Sequence, residues 1–351
     1  MRDCFPKNIL IVRTDRIGDV ILSLPLASVI KEHYPNCKVS FLIRDYTKPL
    51  TEANPHIDES IIIKENNGRF RILENVRLLK KYNFDAAIVL YPTFTLSLII
   101  FLARIKKRVG TGYRLYSFLF TDKIYEHRKD AKKHELEYNF SLLKSIRINF
   151  QPGIDNVKFN LNISDSSLNK IDGILKVNNI QHEERFIIIH PGSGGSAVDL
   201  PIDRFKEIIK LLLDYNIKIV LTGSNAERTI CNKLEISNNV INLSGLLTLE
   251  LLIALISKSC LLIANSTGPL HIAAALGKQT FGFYPKIKSC SAQRWGPYTN
   301  KRFIYEPELD CKDCDKKQCE NLNCMNYINI NNVVNDIKNF LDNKTENKNV
   351  H

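Results

Sequence analysis

Short apolar runs closed by turn residues alternate along this chain with stretches of helical period. ILIV at 9–12 leads through the polar loop RTDRIGD into VILSLPLASVIKEHY, whose apolar positions recur at three- and four-residue spacing. Much later, FIII at 186–189 leads through HPGSGGS into PIDRFKEIIKLLLDY on the same plan. VSFLI (39–43), SIII (60–63) and AAIVLY (86–91) follow the first unit. IKIVLTG (217–223), VINLSG (240–245), CLLIAN (260–265) and QTFGFY (279–284) follow the second. Unbroken apolar strands alternating with amphipathic helices predict parallel sheets covered on both faces. Because the plan occurs twice, the expected fold class is α/β: two facing Rossmann-like, doubly wound domains with a cleft between them. The polar stretch 151–185 holds the linker and one helical pattern, SSLNKIDGILKVNN. The expected divisions are 1–165, 166–328, and a C-terminal segment 329–351 in which VVNDIKNFL forms a helix before NKTENKNVH frays.

Composition narrows the class. A chain of 351 residues, 44% hydrophobic and 25% charged, is no disordered tail, collagen-like fibre or small disulfide scaffold. The net charge of +12 is concentrated in the first 150 residues, which hold 26 Lys and Arg against 16 Asp and Glu. An anionic partner is expected there: a lipid surface, a phosphorylated substrate or a nucleic acid. Nucleic acid is the weakest of these, since no basic helix with interleaved aromatics, RNP-type strand or helix-turn-helix pattern occurs. Arg13, Asp15, Arg16 and Asp19 break the opening apolar stretch, so no signal-peptide core forms. The uncharged run from Ala86 to Ala103 is interrupted by Pro92, Thr93, Thr95 and Ser97. It reads as a strand followed by an apolar helix or loop, TFTLSLIIFLA, rather than a membrane span. Cys4, Cys37, Cys231, Cys260 and Cys290 are scattered, as in a reducing cytoplasm.

The loops at the strand ends carry the candidate chemistry. In HPGSGGS, Gly192, Gly194 and Gly195 let the backbone approach a ligand, and the amides around Ser193 suit phosphate oxygens; a plain strand-to-helix turn reads the same. In NSTGPLHIAAALG, Ser266 and Thr267 either cap a helix or bind an anion, Gly268 permits close approach, and Pro269 suits the first helical turn. TGSNAER, with Thr222 and Gly223, is a third such loop. Three together favour a nucleotide carrying a diphosphate. His190 and His271 either face that ligand or pack beneath it. Trp295 and Arg294 in QRWGPY line the pocket, or Trp295 anchors the core. In RTDRIGDV, Asp19 either caps the following helix or serves as a general base, and Asp15 is a second candidate on the same loop.

RTDRIGDVILSLPLASVIKEHYP, HPGSGGSAVDLPIDRF, LTGSNAER and ANSTGPLHIAAALGKQTFGFY, in this order, resemble glycosyltransferase family nine, the heptosyltransferases of lipopolysaccharide core assembly. The resemblance implies a GT-B architecture, with the acceptor on the N-terminal domain and the nucleotide sugar on the C-terminal one. It implies inverting, metal-independent transfer of a heptose from ADP-heptose onto a glycolipid hydroxyl, with Asp19 as the base. Donor contacts then fall on Gly192, Ser193, Gly194, Gly195, Thr222, Gly223, Ser266, Thr267, Gly268, Pro269 and His271. Acceptor contacts fall on Arg16, Gly18 and Arg114. The expected partners are the donor, an anionic glycolipid and the inner face of the cytoplasmic membrane. Where family members often carry a basic residue and then Trp-Pro, this chain has Val198 and then Leu200-Pro201; where they often carry Asp, it has Ser266. Lys286, Lys288 and Arg294 are candidate substitutes for the cation, and another nucleotide sugar, or its hydrolysis or epimerisation, stays open.

Cys311, Cys314, Cys319 and Cys324 have the spacing C-x₂-C-x₄-C-x₄-C, compatible with a structural zinc or iron–sulfur site, free thiols or disulfides. No cofactor is expected to be needed for catalysis.

Overall fold

The computed structural model describes residues 6–311 and 314–346; Cys4 and the last five residues of the tail lie outside them. The chain divides into two compact units, one ending at Asn162 and the other beginning at Ile163.

The N-terminal unit contains six parallel strands: β1 (Asn8–Val12), β2 (Lys38–Ile43), β3 (Glu59–Ile62), β4 (Ala86–Val89), β5 (Lys107–Thr111) and β6 (Asp122–Ile124). Their order across the sheet is β3-β2-β1-β4-β5-β6. The order reverses beside β1, and in such sheets ligands bind at the carboxyl ends of strands near that reversal. Sequence pattern located β1 to β4 within a residue or two. It missed β5 and β6, because KRVGT and DKI are short, charged and near the sheet edge, and their run reads equally as solvated loop. Only Val109 and Gly110 of β5 are buried. A side chain at Gly110 would meet the Phe120 ring at 2.5 Å, so glycine is needed for that aromatic to close the sheet.

VILSLPLASVIKEHY is two helices rather than one. α1 (Ile17–Ile21) and α2 (Pro25–His33) are separated by a turn, with Pro25 in the first turn of the second, where its missing amide costs nothing. TFTLSLIIFLA is α3 (Phe94–Leu102), begun by Thr93, whose hydroxyl accepts from the Leu96 amide. Its Leu96, Ile99 and Ile100 pack with Leu10, Val12 and Val89 of the sheet. Each fully buried side chain of that size contributes about 1.5–3 kcal/mol. α4 (Glu135–Ser141) completes the elements needed for the site.

The C-terminal unit repeats the topology. β7 (Phe186–His190), β8 (Lys218–Leu221), β9 (Val240–Asn242), β10 (Leu261–Asn265), β11 (Gln279–Phe283) and β12 (Arg302–Tyr305) are all parallel, in the order β9-β8-β7-β10-β11-β12. The helical pattern in the linker stretch is α5 (Asp165–Val177). It packs on α7 (Leu249–Lys258) and so belongs to this unit. α6 (Ile202–Leu212) buries Phe205, Ile208, Ile209 and Leu212 against Ile187, Ile189 and Phe283. α8 (Gly268–Ala275) follows β10, and α9 (Lys316–Asn321) lies in the cysteine-bearing segment. The last helix, α10, runs Ile330–Glu346, so it continues through the first residues of the stretch expected to fray. Val333, Val334 and Ile337 seat it in the core beside α6.

Candidate functional site

Chemistry-bearing residues collect at the carboxyl ends of the central strands in each unit. In the N-terminal unit the focus is Arg13, the residue after β1. Its side chain is 1% exposed, and three carboxylates surround it. Nε lies 2.8 Å from Asp15 Oδ1, Nη2 pairs with Asp19, and Nη1 lies 3.4 Å from Glu135 Oε1. Asn139 accepts from the same Nη1 at 3.4 Å and donates to Leu22 O at 3.2 Å, tying α4 to the end of α1. Glu135 has a second cation, Arg128, at 2.5 Å. Burial by itself lowers the Arg13 pKa, but Asp15, Asp19 and Glu135 raise it further than burial lowers it, so its charge is fixed. Burial pushes Asp15 up to about 7 against the pull of Arg13, with the nearby Asp19 pushing the same way.

Asp19 occupies the first turn of α1. Its carboxylate is aimed by Arg13 and keeps 15% side-chain exposure. The carboxylate thus lies in a first helical turn, where negative charge is favourable, and stays open to solvent on one side. Arg16, just before α1, is exposed and Gly18 is buried. Arg114 is also exposed, beside a 3₁₀ turn where Leu115 is 100% and Phe118 is 69% exposed.

In the C-terminal unit His190, Thr222 and the loop Pro191–Leu200 gather at the ends of β7 and β8. His190 Nδ1 lies 3.0 Å from Thr222 Oγ1. Burial pushes His190 down to about 4, with Glu227 opposing, so the ring is neutral at pH 7. Glu227 accepts from the Ser224 amide at 2.7 Å, the Ser224 hydroxyl at 2.8 Å and the Gly194 amide at 3.3 Å. Burial disfavours its charge, but these donors and His190 outweigh burial and hold its pKa below the usual carboxylate value. Glu227 lies against Gly192 so closely that no Cβ fits there. Gly194 and Gly195 are exposed and left-handed, with φ of +56° and +74°, which bends the loop outward.

Asn265, at the end of β10, staples this loop from below. Its Oδ1 accepts from the Leu200 amide at 2.9 Å and its Nδ2 donates to Pro191 O at 2.6 Å. Ser266 and Thr267 are buried, Ser266 in hydrogen-bond reach of Tyr284, and the Thr267 side chain does not cap α8. Gly268 and Pro269 open α8, and His271 is buried one turn in. Gly223 follows Thr222 and is half-buried.

The Lys286 ammonium donates to Leu309 O at 2.6 Å, and Arg294 lies over the half-buried Trp295 ring at 5.0 Å. Lys288 sits in a 3₁₀ turn. The Lys316 ammonium of α9 reaches the glycine turn, 3.3 Å from Gly195 O. Arg13, Glu135, Asn139, Asp199, Asn265 and Lys316 went unassigned in the sequence reading. Only the loop positions of Arg13 and Asp199 gave any local signal.

Cys37, Cys231, Cys260 and Cys290 are free thiols, as are the four clustered ones. Cys319 and Cys324 are buried in the core of the unit, and Cys311 and Cys314 pack against it. Cys324 lies within hydrogen-bond reach of Cys311 and of Cys319. Among the described residues no three His, Cys, Asp or Glu side chains are arranged to hold a metal ion.

Two Rossmann-like sheets of order 3-2-1-4-5-6, each with polar groups at the ends of its first strand, define the GT-B class of glycosyltransferases. The family model for glycosyltransferase family 9 (heptosyltransferase) matches residues 72–325, and the chain belongs to that family. A Haemophilus influenzae protein described as a glycosyltransferase is 27% identical over 98% of this chain and 99% of its own. Lipooligosaccharide heptosyltransferase 2 of Haemophilus ducreyi is 26% identical over 77% of this chain and 80% of its own. The solved structure of Escherichia coli ADP-heptose lps heptosyltransferase II superposes with a TM-score of 0.78 at 21% identity, covering 96% of this chain and 99% of that one. The chain is therefore a glycosyltransferase of heptosyltransferase type.

Proposed function

We propose that this enzyme transfers a heptose from ADP-heptose onto a lipopolysaccharide core acceptor by inverting, metal-independent displacement, with Asp19 as the general base. The Arg13–Asp19 pair carries the reading: a carboxylate at the end of the central strand, aimed by a buried guanidinium and left partly open. Asp19 takes the proton of the acceptor hydroxyl as that oxygen attacks the anomeric carbon, and ADP departs with the bonding pair. A positioned base supplies roughly 10²- to 10⁴-fold. Main-chain amides of the glycine loop and the N-terminal turn of α8 receive the diphosphate charge. The heptosyltransferase relatives and the repeated Rossmann-like units support this division of labour.

The acceptor reading draws on the charge of the first 150 residues and on exposed Leu115 and Phe118 beside Arg114. Apolar side chains flanked by cations suit an anionic glycolipid at the inner face of the cytoplasmic membrane. Among the described residues no helix is long and apolar enough to cross a membrane.

Asp19→Asn tests the proposal. Transfer should fall by at least 10²-fold while ADP still raises the melting temperature, as a ligand selective for the folded state must. Wild-type turnover in that variant removes Asp19 as the base, and no thermal shift with ADP removes the donor assignment.

A further inference from the structure

With Asp19 as the base, its neighbour Asp15 is left without a task. The Asp15 side chain is only 14% exposed, and its Oδ1 lies 2.8 Å from Arg13 Nε, while Asp19 pairs with Nη2 of the same guanidinium. The two carboxyl groups are also within hydrogen-bond reach of each other. Ionised carboxylates only accept hydrogen bonds, so two of them can bond to one another only when one carries a proton. Like charges this close and this poorly hydrated do not both ionise readily, and one cation offsets only one of them. Burial pushes Asp15 up to about 7, with Asp19 pushing the same way and Arg13 opposing.

The surroundings supply no second cation as close as Arg13. Glu135 of α4 also faces Arg13, and Arg128 lies 2.5 Å from that glutamate. From the 3₁₀ turn Asp45–Thr47 after β2, the Tyr46 hydroxyl donates to the main-chain carbonyl of Asp15, which pins the loop without occupying the carboxyl group. Arg16 and Arg44 lie near that hydroxyl, and Arg44 has its own partner, Glu65, at 3.5 Å. Arg13 and Asp19 remain the charges that act most strongly on Asp15.

We propose that Asp15 is a positioning residue for the base: it shares one proton with Asp19, and losing that proton frees the Asp19 oxygen that serves the acceptor hydroxyl. The inference rests on the reading of Asp19 as the base and adds what switches that base on. While the shared proton is in place, it bridges the two carboxyl groups and occupies an oxygen of Asp19. Once it has left to solvent, that oxygen is open. The acceptor O–H bond then breaks as an O–H bond to Asp19 forms, the acceptor oxygen bonds to the anomeric carbon, and ADP leaves with the bonding pair.

The pH dependence of kcat/KM for transfer from ADP-heptose tests it, since this ratio reports the ionisations of the free enzyme. The wild type should show a rising limb centred near 7, with the rate falling about tenfold from pH 8 to pH 6. Asn at position 15 presents an oxygen to Arg13 and an amide to Asp19, as the protonated acid does. Asp15→Asn should therefore lose the limb and stay low over the whole range. Asp15→Ala, which leaves the Asp19 oxygen open, should lose the limb as well. A thermal shift with ADP shows that both variants are folded. A limb kept in both variants belongs to the substrates or to another group and overturns the proposal, as does a wild type without one. A measurement on the wild type needs no variant: carbon-13-labelled aspartate carboxyls should include one that titrates near 7, and none doing so also overturns it. Wild-type turnover in Asp19→Asn instead removes the base reading itself; failure of the Asp15 arms alone leaves that reading standing.

Discussion

Arg13→Met isolates what the buried guanidinium does. Methionine fills most of the space but carries no charge, so Asp15 and Asp19 lose their shared cation while Glu135 keeps Arg128 at 2.5 Å. Removing one partner of a buried ion pair costs about 3–5 kcal/mol, because the other charge is stranded. Here the stranded pair keeps 14% and 15% side-chain exposure, and Glu135 is not stranded. The lower figure, about 3 kcal/mol, is expected at pH 8. For a unit of this size that lowers the melting temperature by roughly 6–12 °C.

The deficit also has a sign in pH. Asp15 is already raised to about 7 by burial, and in the variant the pull of Arg13 is gone, so its folded pKa rises further. A carboxyl raised above its unfolded value contributes stability below the unfolded value and loses it as pH climbs through the folded one. The Arg13→Met deficit should therefore shrink on going from pH 8 to pH 5.5. Differential scanning calorimetry measures this on the N-terminal unit's transition. Fluorescence of the single tryptophan, Trp295, follows the C-terminal unit and separates the two. A deficit under 1 kcal/mol, or one equal at both pH values, refutes the view that Arg13 acts as the counter-charge.

Two further outcomes concern the C-terminal unit. Asn265→Ala removes both partners of the glycine-loop staple and strands the Leu200 amide and the Pro191 carbonyl, costing about 2–4 kcal/mol; a urea titration giving less than 1 kcal/mol contradicts the staple. His190 is neutral when folded, with its pKa near 4, while the unfolded value is near 6.5, so stability falls as pH drops from 6.5 towards 4. His190→Gln should abolish that contribution, worth up to about 3 kcal/mol at pH 4. Parallel stability curves for wild type and variant over this range exclude it.

The strands that could be read from sequence are those whose burial on both faces left unbroken apolar runs, such as ILIV and FIII. β5, β6 and β12 could not, because each is short or carries charged residues: KRVGT and RFIY match no buried pattern. Pro25 was visible, yet the break it marks needed the turn before it, where Leu24 and Pro25 already begin a new axis. At the site, Asp19 was legible from its place in RTDRIGDV after the first strand and from the family resemblance, not from its partner Arg13. Glu135 is 122 residues from Arg13, and Lys316 is 121 from Gly195. No periodicity encodes such pairs; they exist only once the sheet order brings α4 under β1 and the core seats α9 beside the glycine turn.

The two units also show how one topology supports opposite electrostatic tasks. After β1 the chain places a guanidinium beneath carboxylates, which holds the Asp19 carboxylate partly exposed. After β7, the equivalent strand, it places glycines and lets a carboxylate, Glu227, accept from the loop amide of Gly194. Fold alone does not decide between these; the loop residues do. That Glu227 and Asp199 both crowd the glycine turn means this loop cannot hold a diphosphate by net positive charge. A diphosphate held there, as proposed above, takes its partners from main-chain amides and the N-terminal turn of α8.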